Sequence, residues 1–322
     1  MKYLVTGGCG FIGSHLCDAL VKQGHSVRIL DDLSTGTTNY LPDSVELVIG
    51  NVVDPDTVKK AIKGMDGCFH LAAVASVERS MNDWVGAHKV NQQASVNLFD
   101  ASRSMSINST VPIVFASSAA IYGDNASLPL GESTAARPIS AYGADKLGSE
   151  HHARVAWLSH GVSTVGLRFF NVYGPRQNPD SPYSGVISIF VDRVLRGLPL
   201  IIHGKGDQTR DFIYVSDVVN YLMSAMDNQS GESSVYNVCT GQSTSISQLA
   251  KTLSIVSGSQ PNITYKSARS GDIASSLGDP SRVIKRYGIQ PQVELGEGLK
   301  LILQSIKEAH QLPIYNPIPK SA

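Results

Sequence analysis

The sequence predicts an α/β protein built on a doubly wound parallel sheet, together with a smaller α/β substrate-binding domain. In the first half of the 322 residues, short apolar runs alternate with segments of helical periodicity. Strands joined through helices pair in parallel, so this alternation is typical of a doubly wound sheet. A glycine-rich loop follows the first apolar run and opens the first helix, which is where the nucleotide-binding turn of such folds occurs.

The expected elements divide the chain near residue 174. The expected strands are 3–8, 26–32, 45–52, 67–73, 112–118 and 163–174, and the expected helices are 11–25, 55–64, 87–105 and 141–159, from their hydrophobic periodicity. A polar, proline-bearing loop over 175–185 then interrupts the pattern. We therefore expect a nucleotide-binding domain over 1–174 and a mainly substrate-binding domain over 175–322. A helix and a strand within 212–241 are expected to rejoin the first domain.

Composition excludes several kinds of partner and compartment. Lys plus Arg balance Asp plus Glu at 27 each, without a basic run, which argues against nucleic acid or an acidic membrane and favours a small ligand. No apolar run approaches the roughly 18 residues of a membrane span, and the first residues resemble a strand rather than a signal peptide. The four cysteines lack metal-like spacing. We expect no metal site, no disulfides and a cytoplasmic enzyme.

The loop TGGCGFIG carries the first candidate site. Gly7, Gly10 and Gly13 are spaced three apart, and Gly8 with the latter two also fits the dinucleotide-binding spacing. Glycines let the backbone approach a pyrophosphate, which then lies at the positive end of the helix. A Rossmann-like cofactor site is therefore expected, and a plain structural turn is the alternative.

Asp31 and Asp32 end the second expected strand, about 20 residues after the loop, where a carboxylate can accept hydrogen bonds from a ribose. A carboxylate there repels a 2′-phosphate, so the sequence favours NAD over NADP. Arg28 is the residue that favours NADP, and a solvated strand end is the alternative without a ligand.

The candidate chemistry lies in AYGADK, where Tyr142 and Lys146 are four residues apart and so share one helix face. A tyrosine of pKa near 10 is a poor base at neutral pH, and a neighbouring ammonium favours its phenolate. Ser118, at the end of an earlier strand, can bridge the phenol and a substrate hydroxyl. Tyr142, Lys146 and Ser118 are the expected catalytic residues.

An ordered set of motifs gives the chain a family resemblance. These motifs are the glycine loop, LDDLSTG (30–36), GNVVD (50–54), HLAA (70–73), SSAAIYG (117–123), YGADK (142–146), RFFNVYGPRQ (168–177) and GDQTRDFIYVSDV (206–218). In that order they closely resemble the extended short-chain dehydrogenases/reductases, and among these the NAD-dependent UDP-hexose 4-epimerases. The resemblance spans nearly the whole chain and is more specific for the superfamily than for the substrate.

The resemblance implies a mechanism and a set of ligand contacts. Tyr142 takes the proton of the sugar 4-hydroxyl, hydride passes to NAD, and the 4-keto sugar turns and takes the hydride back on its other face. The implied cofactor residues are Gly7, Gly10, Phe11, Ile12, Gly13, Asp31, Asp32, Ser34, Thr35, Gly36, Asn51, Val52, Leu71, Ala72, Ala73, Asn91, Tyr142 and Lys146. The implied UDP-sugar residues are Ser118, Asn171, Val186, Ile201, His203, Arg210, Arg269, Asp272 and Ser276.

Departures from the family pattern bear on the cofactor and the substrate. Asn51 replaces a usual Asp beside the adenine, and its amide oxygen can still accept that hydrogen bond. The resemblance places Ser276 at a position that is small in relatives admitting an N-acetyl group, which favours UDP-GlcNAc/UDP-GalNAc, with or without UDP-Glc/UDP-Gal. Relatives that act on UDP-glucuronate often carry Thr in place of Asn171. The alternative is therefore a UDP-glucuronate 4-epimerase or another NAD-dependent sugar-nucleotide-modifying enzyme of the same superfamily.

Three further expectations follow from the resemblance. Dehydratases of the superfamily carry acidic residues where this chain has Ala119 and Ala120, so dehydration is disfavoured. A non-catalytic NAD-sensing protein on the same fold is the alternative from another class, and it is disfavoured because such a protein has no need to keep the serine, tyrosine and lysine together. A homodimer is expected, through the helices near 87–105 and 141–159.

Overall fold

A computed structural model of the chain describes residues 1–103, 110–178, 185–268 and 273–311. Its strands are β1 (Lys2–Thr6), β2 (Ser26–Asp31), β3 (Glu46–Ile49), β4 (Gly67–His70), β5 (Ile113–Ser118), β6 (Thr164–Phe169), β7 (Asn171–Tyr173), β8 (Leu200–His203), β9 (Thr209–Arg210), β10 (Phe212–Tyr214), β11 (Ser233–Val238), β12 (Thr244–Ser245) and β13 (Ile263–Lys266). Its α-helices are α1 (Phe11–Lys22), α2 (Pro55–Ile62), α3 (Val77–Asn82), α4 (Trp84–His88), α5 (Ala94–Ser102), α6 (Ala141–His160), α7 (Val186–Leu195), α8 (Val215–Asp227), α9 (Ile246–Ser257), α10 (Ser281–Tyr287) and α11 (Leu295–Gln311).

The central sheet has seven strands in the order β11-β6-β5-β4-β1-β2-β3, and all its pairings are parallel. From β1 the chain winds outward through β2 and β3, then returns to β4 on the other side of β1. The predicted doubly wound sheet is thus confirmed. The crevice at the carboxyl ends of β1 and β4 is the switch point, where open α/β sheets bind their ligands.

Helices cover both faces of this sheet. On one face α1 and α8 pack together and bury side chains such as Leu16 and Leu222. On the other face α2, α5 and α6 pack in a row, with Val58 and Leu98 in their core. Every residue of β4 and β6 is buried, as expected of parallel strands covered on both sides. Two buried layers therefore hold the strand ends rigidly in place.

A second, smaller core lies beside the sheet. Around it the chain forms two-stranded pairings, β10 with β7, β12 with β9 and β13 with β8. The core is made by α7, α9 and α11, through side chains that include Phe190, Leu253 and Leu299. The last strand of the large sheet, β11, comes from this later part of the chain and pairs with β6.

Three expected elements differ in detail. The strand expected over 163–174 is two strands, because the chain leaves the large sheet at Phe170 and the Asn171 N–H donates to the Asp211 carbonyl at 3.0 Å instead. The segment expected as one helix over 87–105 begins earlier, as α4, and includes a π-helical turn over Lys89–Gln93. The helix expected at the start of 212–241 is α8, and the strand β10 precedes it over Phe212–Tyr214. Within the described ranges, no helix is long and apolar enough to cross a membrane.

Candidate active site

The glycine loop turns from β1 into α1 and leaves the first turn of that helix open. Gly10 is the N-cap and provides no side-chain cap. A Cβ on Gly10 would meet only the Gly7 carbonyl, at 3.2 Å, and otherwise project into open space. A Cβ on Gly13 would lie 2.1 Å from the same carbonyl, so only glycine lets the helix approach the loop this closely. The free N–H groups and the positive helix end fit a pyrophosphate.

The two carboxylates at the end of β2 are held by three backbone N–H groups and one side-chain amide. Asp31 is 8% exposed, and its two oxygens accept hydrogen bonds from the N–H groups of Cys9 and Leu33, each at 2.9 Å. Asp32 is exposed, and it accepts from the Ser34 N–H at 3.0 Å and from the Asn51 side-chain amide at 3.2 Å. Each carboxylate keeps lone pairs for further donors. The pair thus fits the ribose hydroxyls of a dinucleotide.

The remaining expected cofactor residues surround the same crevice. Ser34, Thr35 and Gly36 form the loop after β2, Asn51 and Val52 follow β3, and Leu71, Ala72 and Ala73 follow β4. The Asn51 amide oxygen accepts the Val53 N–H at 2.8 Å and retains a second lone pair. Asn91 is buried in the π-helical turn, and its side-chain amide hydrogen-bonds both backbone groups of Val74. Asn91 therefore fixes the loop that follows β4.

The three expected catalytic residues come together on β5 and α6. The α6 N-terminus is capped by Ser140 and fixed by a hydrogen bond from the Tyr142 N–H to the Ser80 hydroxyl at 3.1 Å. The Lys146 Nζ lies 5.8 Å from the Tyr142 ring centroid and donates to the Ala116 carbonyl at 2.8 Å. The Ser118 hydroxyl lies near the Tyr142 phenol. A phenol, a hydroxyl and an ammonium thus share one strand end.

Burial sets the charge states of this triad. It raises the pKa of Tyr142, and the hydrogen bond with Ser118 partly opposes the rise. Burial also lowers the pKa of Lys146 to about 8, against the negative charge of Asp145, which raises it. Lys146 therefore still carries its proton at neutral pH, whereas Tyr142 requires additional positive charge to ionise.

A buried carboxylate that the sequence did not single out lies next to Lys146. Asp145 is 3% exposed, and its Oδ1 lies 2.7 Å from Nδ1 of the half-exposed His88. The Oδ2 atom is buried without a partner in the part of the chain that the structure describes. Asp145 could have been singled out from the sequence, because it lies in AYGADK directly before Lys146. Its contact with His88, 57 residues earlier in the chain, could not be predicted from the sequence.

A buried ion pair supports the strand that carries Ser118. Arg168 donates from Nε and Nη2 to both oxygens of Glu150, at 2.9 and 2.7 Å. The Ser117 hydroxyl donates to the same carboxylate at 2.5 Å, and Arg168 also donates to the Tyr122 hydroxyl at 2.8 Å. The pair joins β5, β6 and α6. Glu150 lies four residues after Lys146 on α6, and this spacing is the sequence feature that places it on the same helix face.

The expected substrate residues meet in a separate cavity of about 330 Å³. The residues of that set on its wall are Asn171, Val186, Ile201, His203 and Arg210. Asn171 begins β7, two residues after Phe169, which pairs with Ser118, so the cavity adjoins the catalytic strand end.

Arg210 and Ser276 are both held near this cavity by backbone contacts. The Arg210 guanidinium donates to the carbonyls of Thr209 and Ile273, at 2.8 and 2.7 Å. The Ser276 N–H donates to the Thr209 carbonyl at 3.1 Å, so Ser276 lies beside Arg210. The other two expected substrate residues, Arg269 and Asp272, lie outside the described residues.

His70 ends β4 inside the core behind the crevice. Its Nδ1 lies 2.7 Å from the Thr6 hydroxyl and its Nε2 lies 3.1 Å from the Ser95 hydroxyl. Burial, with a smaller contribution from the Lys146 charge, lowers the pKa of His70 to about 3. A neutral imidazole thus joins two strands and a helix.

Replacing His70 with Gln should flatten the acid side of the stability profile. Because the folded pKa lies below the unfolded value of 6.5, the unfolded chain binds the extra proton first. Stability is therefore complete above pH 6.5 and is lost as the pH falls towards 3. Between pH 7 and pH 5, the protonation of His70 in the unfolded chain lowers the free energy of unfolding of the wild type by about 2 kcal/mol. The variant His70→Gln should not show this loss. Urea unfolding at the two pH values measures this difference, and an exposed control, His160→Gln, should keep the wild-type pH dependence.

The fold and the site together define a nucleotide-dependent enzyme of the dehydrogenase/reductase class, with a glycine cradle, paired carboxylates and a Ser-Tyr-Lys set around one crevice. Residues 3–239 match the model of the NAD dependent epimerase/dehydratase family, and the chain belongs to that family. Its cofactor is accordingly NAD, and the residues at the crevice fit it.

Several individual proteins are similar over nearly their full length. A putative UDP-glucose 4-epimerase of Methanocaldococcus jannaschii is 34% identical over 94% of this chain and 98% of its own. The UDP-glucose 4-epimerase of Thermotoga maritima, solved with UDP-glucose, has a TM-score of 0.91 at 35% identity, over 97% of this chain and all of its own. The UDP-N-acetylglucosamine 4-epimerase of Methanobrevibacter ruminantium, solved with UDP-N-acetylmuramic acid, has a TM-score of 0.89 at 35% identity, over 96% and 98%.

Proposed function

We propose that this chain interconverts the C4 epimers of a UDP-hexose through a transient 4-keto sugar. The observation that carries the proposal is that Ser118, at the end of β5, and Tyr142, near the start of α6, lie close enough to interact. The Lys146 ammonium lies 5.8 Å from the centroid of the phenol ring. Such a set moves a proton to and from an alcohol. When bound, NAD supplies the matching redox step by accepting a hydride from C4 and returning it.

In this mechanism each residue has one task. Tyr142, as the phenolate, takes the proton of the sugar 4-hydroxyl and returns it after the ketone is reduced. Lys146 stabilises the phenolate, whose formation burial opposes. Ser118 holds the 4-hydroxyl and the phenol in line. The residues end the cycle as they began it, so no net oxidant is consumed.

The residues after Ser118 favour epimerisation over loss of water. Ala119 and Ala120 occupy the first turn of a 3-10 helix over Ala119–Tyr122, and neither carries an acid or a base. A dehydratase requires both groups to remove the 6-hydroxyl as water. The Ser-Tyr-Lys set alone serves a simple redox cycle at C4.

We assign the cavity beside β7 to the UDP portion of the substrate. Arg210, Arg193 and Lys266 are cationic residues on its wall, and the guanidinium of Arg210 matches diphosphate oxygens. Ile201 and Val186 offer apolar contact, and His203 offers a ring for stacking on the uracil. The small Ser276 beside Arg210 supports an N-acetylated hexose, UDP-GlcNAc/UDP-GalNAc, with UDP-Glc/UDP-Gal as further substrates. UDP-glucuronate is the alternative.

Incubation of the purified protein with UDP-GlcNAc, UDP-Glc and UDP-glucuronate separately, without added NAD, tests the proposal. Proton NMR should show the C4 epimer of the acetamido sugar accumulate to equilibrium. Conversion of UDP-Glc or UDP-glucuronate alone would contradict the substrate assignment, and release of water or net formation of NADH would contradict epimerisation. Conversion of none of the three would favour another sugar nucleotide as the substrate or loss of the cofactor from the purified protein.

We also propose that the enzyme is a cytoplasmic homodimer. Its four cysteines are all buried and free, as suits a reducing compartment. α3 and α4 pack against α6, and apolar side chains remain exposed there: Trp84 (61%), Val85 (69%), Val155 (54%) and Leu158 (56%). Neighbouring exposed apolar side chains support a protein interface. A mass in solution of twice the 34.4 kDa chain is the expected measurement.

A further inference from the structure

Arg176 joins two segments that flank the cofactor crevice. Its guanidinium pairs with the Asp18 carboxylate on α1 at 2.6 Å and lies 5.1 Å from the Tyr40 ring centroid, in cation–π geometry. Tyr40 belongs to a 3-10 helix over Thr38–Tyr40, in the loop that follows β2. We call Arg176, Asp18 and Tyr40 the clasp. It connects the start of the substrate-binding region to the loop after β2.

Each partner of the clasp is itself anchored to the glycine cradle. Asp18 lies on α1, whose first turn forms the cradle. The residue before Arg176, Pro175, is tied to the same helix through its carbonyl, 3.1 Å from Nε2 of His15. The loop after β2 is tied to the cradle at its near end, where the Thr37 N–H donates to the Cys9 carbonyl at 3.0 Å. Beyond Thr37, Leu41 packs against the core beneath α1, and the clasp adds the contact between the exposed Tyr40 ring and Arg176.

The backbone is strained at two points around this loop. Leu33 (φ 57°) and Arg176 (φ 67°) are the non-glycine residues with positive φ in the described part of the chain. Such a conformation is unfavourable for a residue with a Cβ and persists only where the surroundings hold it. One strained residue opens the loop after β2, and the other bears the guanidinium that stacks on its far end. Both ends of the loop are therefore fixed in advance.

We propose that the clasp holds the loop over 33–41 closed against the bound cofactor and so sets how slowly NAD leaves the enzyme. Arg176 and Tyr40 are positioning residues in this role, because they act through the loop. The inference rests on the proposed function in one respect, the assignment of Ser34, Thr35 and Gly36 of this loop to cofactor binding. An epimerase regenerates its oxidant in every turnover, so a cofactor that stays bound remains useful, and a closed loop keeps it there.

The rate of cofactor release tests the proposal without any sugar. Each protein is loaded with NADH, mixed with excess NAD, and followed by the loss of bound NADH fluorescence. Arg176→Gly removes the guanidinium and also relieves the strain, because glycine adopts positive φ freely. Tyr40→Ala removes the ring from an exposed loop position. We expect Tyr40→Ala to release NADH about threefold faster, as the loss of an exposed cation–π contact implies. Arg176→Gly also loses the ion pair with Asp18, so we expect it to release NADH about tenfold faster.

Matched variants separate the clasp from a general loosening. Tyr40→Phe keeps the ring and should release NADH at the wild-type rate. Arg196→Ala removes an exposed arginine that pairs with Asp192 on α7, and it should do the same. The double variant Arg176→Gly/Tyr40→Ala should release no faster than the faster single variant, because the two residues form one contact.

Two results would overturn the clasp. The first is release at the wild-type rate from both Arg176→Gly and Tyr40→Ala. The second is equal acceleration by Tyr40→Phe and Tyr40→Ala, which would remove the aromatic ring from the explanation. Thermal unfolding of each variant shows whether it is folded. If Arg176→Gly does not fold, Tyr40→Ala alone tests the clasp, because Tyr40 is 44% exposed and its replacement leaves the core intact. A failure to convert any UDP-sugar would contradict the proposed function and leave these release rates unaffected.

Discussion

Replacing Tyr142 with Phe should lower the turnover of the UDP-sugar by about 10²–10⁴-fold, the range of a lost general base. The variant removes one oxygen atom and keeps the ring, so Lys146 and the hydrogen bond from the Tyr142 N–H to Ser80 remain. Without the phenol, the Ser-Tyr-Lys set loses the group that we assign to taking the proton of the 4-hydroxyl. Epimer formation measured by proton NMR, at equal protein concentration, gives the size of the loss.

Cofactor content is the control for this variant. NAD released by acid and quantified per chain should be the same for Tyr142→Phe and the wild type, because the cradle and the paired carboxylates are untouched. Tyr265→Phe, at an exposed position on β13 (57%), should retain full turnover. Near wild-type turnover in Tyr142→Phe would refute the role of the phenol.

Replacing Glu150 with Gln should lower the free energy of unfolding by about 3–5 kcal/mol, the cost of breaking a buried ion pair from one side. The two side chains are only 6% and 7% exposed, so Arg168 keeps a buried charge without its counterion. Urea unfolding at pH 7 measures the loss. The effect is large because the neighbouring Ser117 and Tyr122 hydroxyls depend on the same two residues.

An exposed ion pair provides the comparison. Asp100 pairs with Arg103 at 2.5 Å, with side chains 44% and 47% exposed, and pairs of that kind contribute about 0–1 kcal/mol. Asp100→Asn should therefore lower the stability by less than about 1 kcal/mol. A loss in Glu150→Gln no larger than that of Asp100→Asn would show that the buried pair contributes little.

The fold was predictable because each parallel strand is an apolar run that ends at a turn. The glycine loop, Asp31 and Asp32 all follow such runs, and their sequence positions sufficed to bring them to one sheet edge. Tyr142 and Lys146 were predictable as a pair because two residues four positions apart on a helix lie on the same face. In each case the information was local along the chain.

The contacts that the sequence did not reveal join distant elements. The bond between Asp145 and His88 spans 57 residues, and that between Arg176 and Asp18 spans 158. Neither partner stands in a pattern that names the other. The π-helical turn at Asn91 was also missed, since one extra residue in a turn leaves the apolar periodicity of the flanking helices almost unchanged. The cavity at β7 could be assigned only through the family resemblance.

The late arrival of β11 has a consequence for synthesis of the chain on the ribosome. β6 is buried along its whole length, and its outer neighbour begins at Ser233, more than 60 residues after β6 ends. At translation rates of about 5–20 residues per second, the edge of β6 that pairs with β11 stays unpaired for roughly 3–12 seconds during synthesis. Unpaired strand edges are templates for aggregation, so the nascent chain is most vulnerable during this interval. The segment between β7 and β11 therefore governs how long the large sheet stays incomplete.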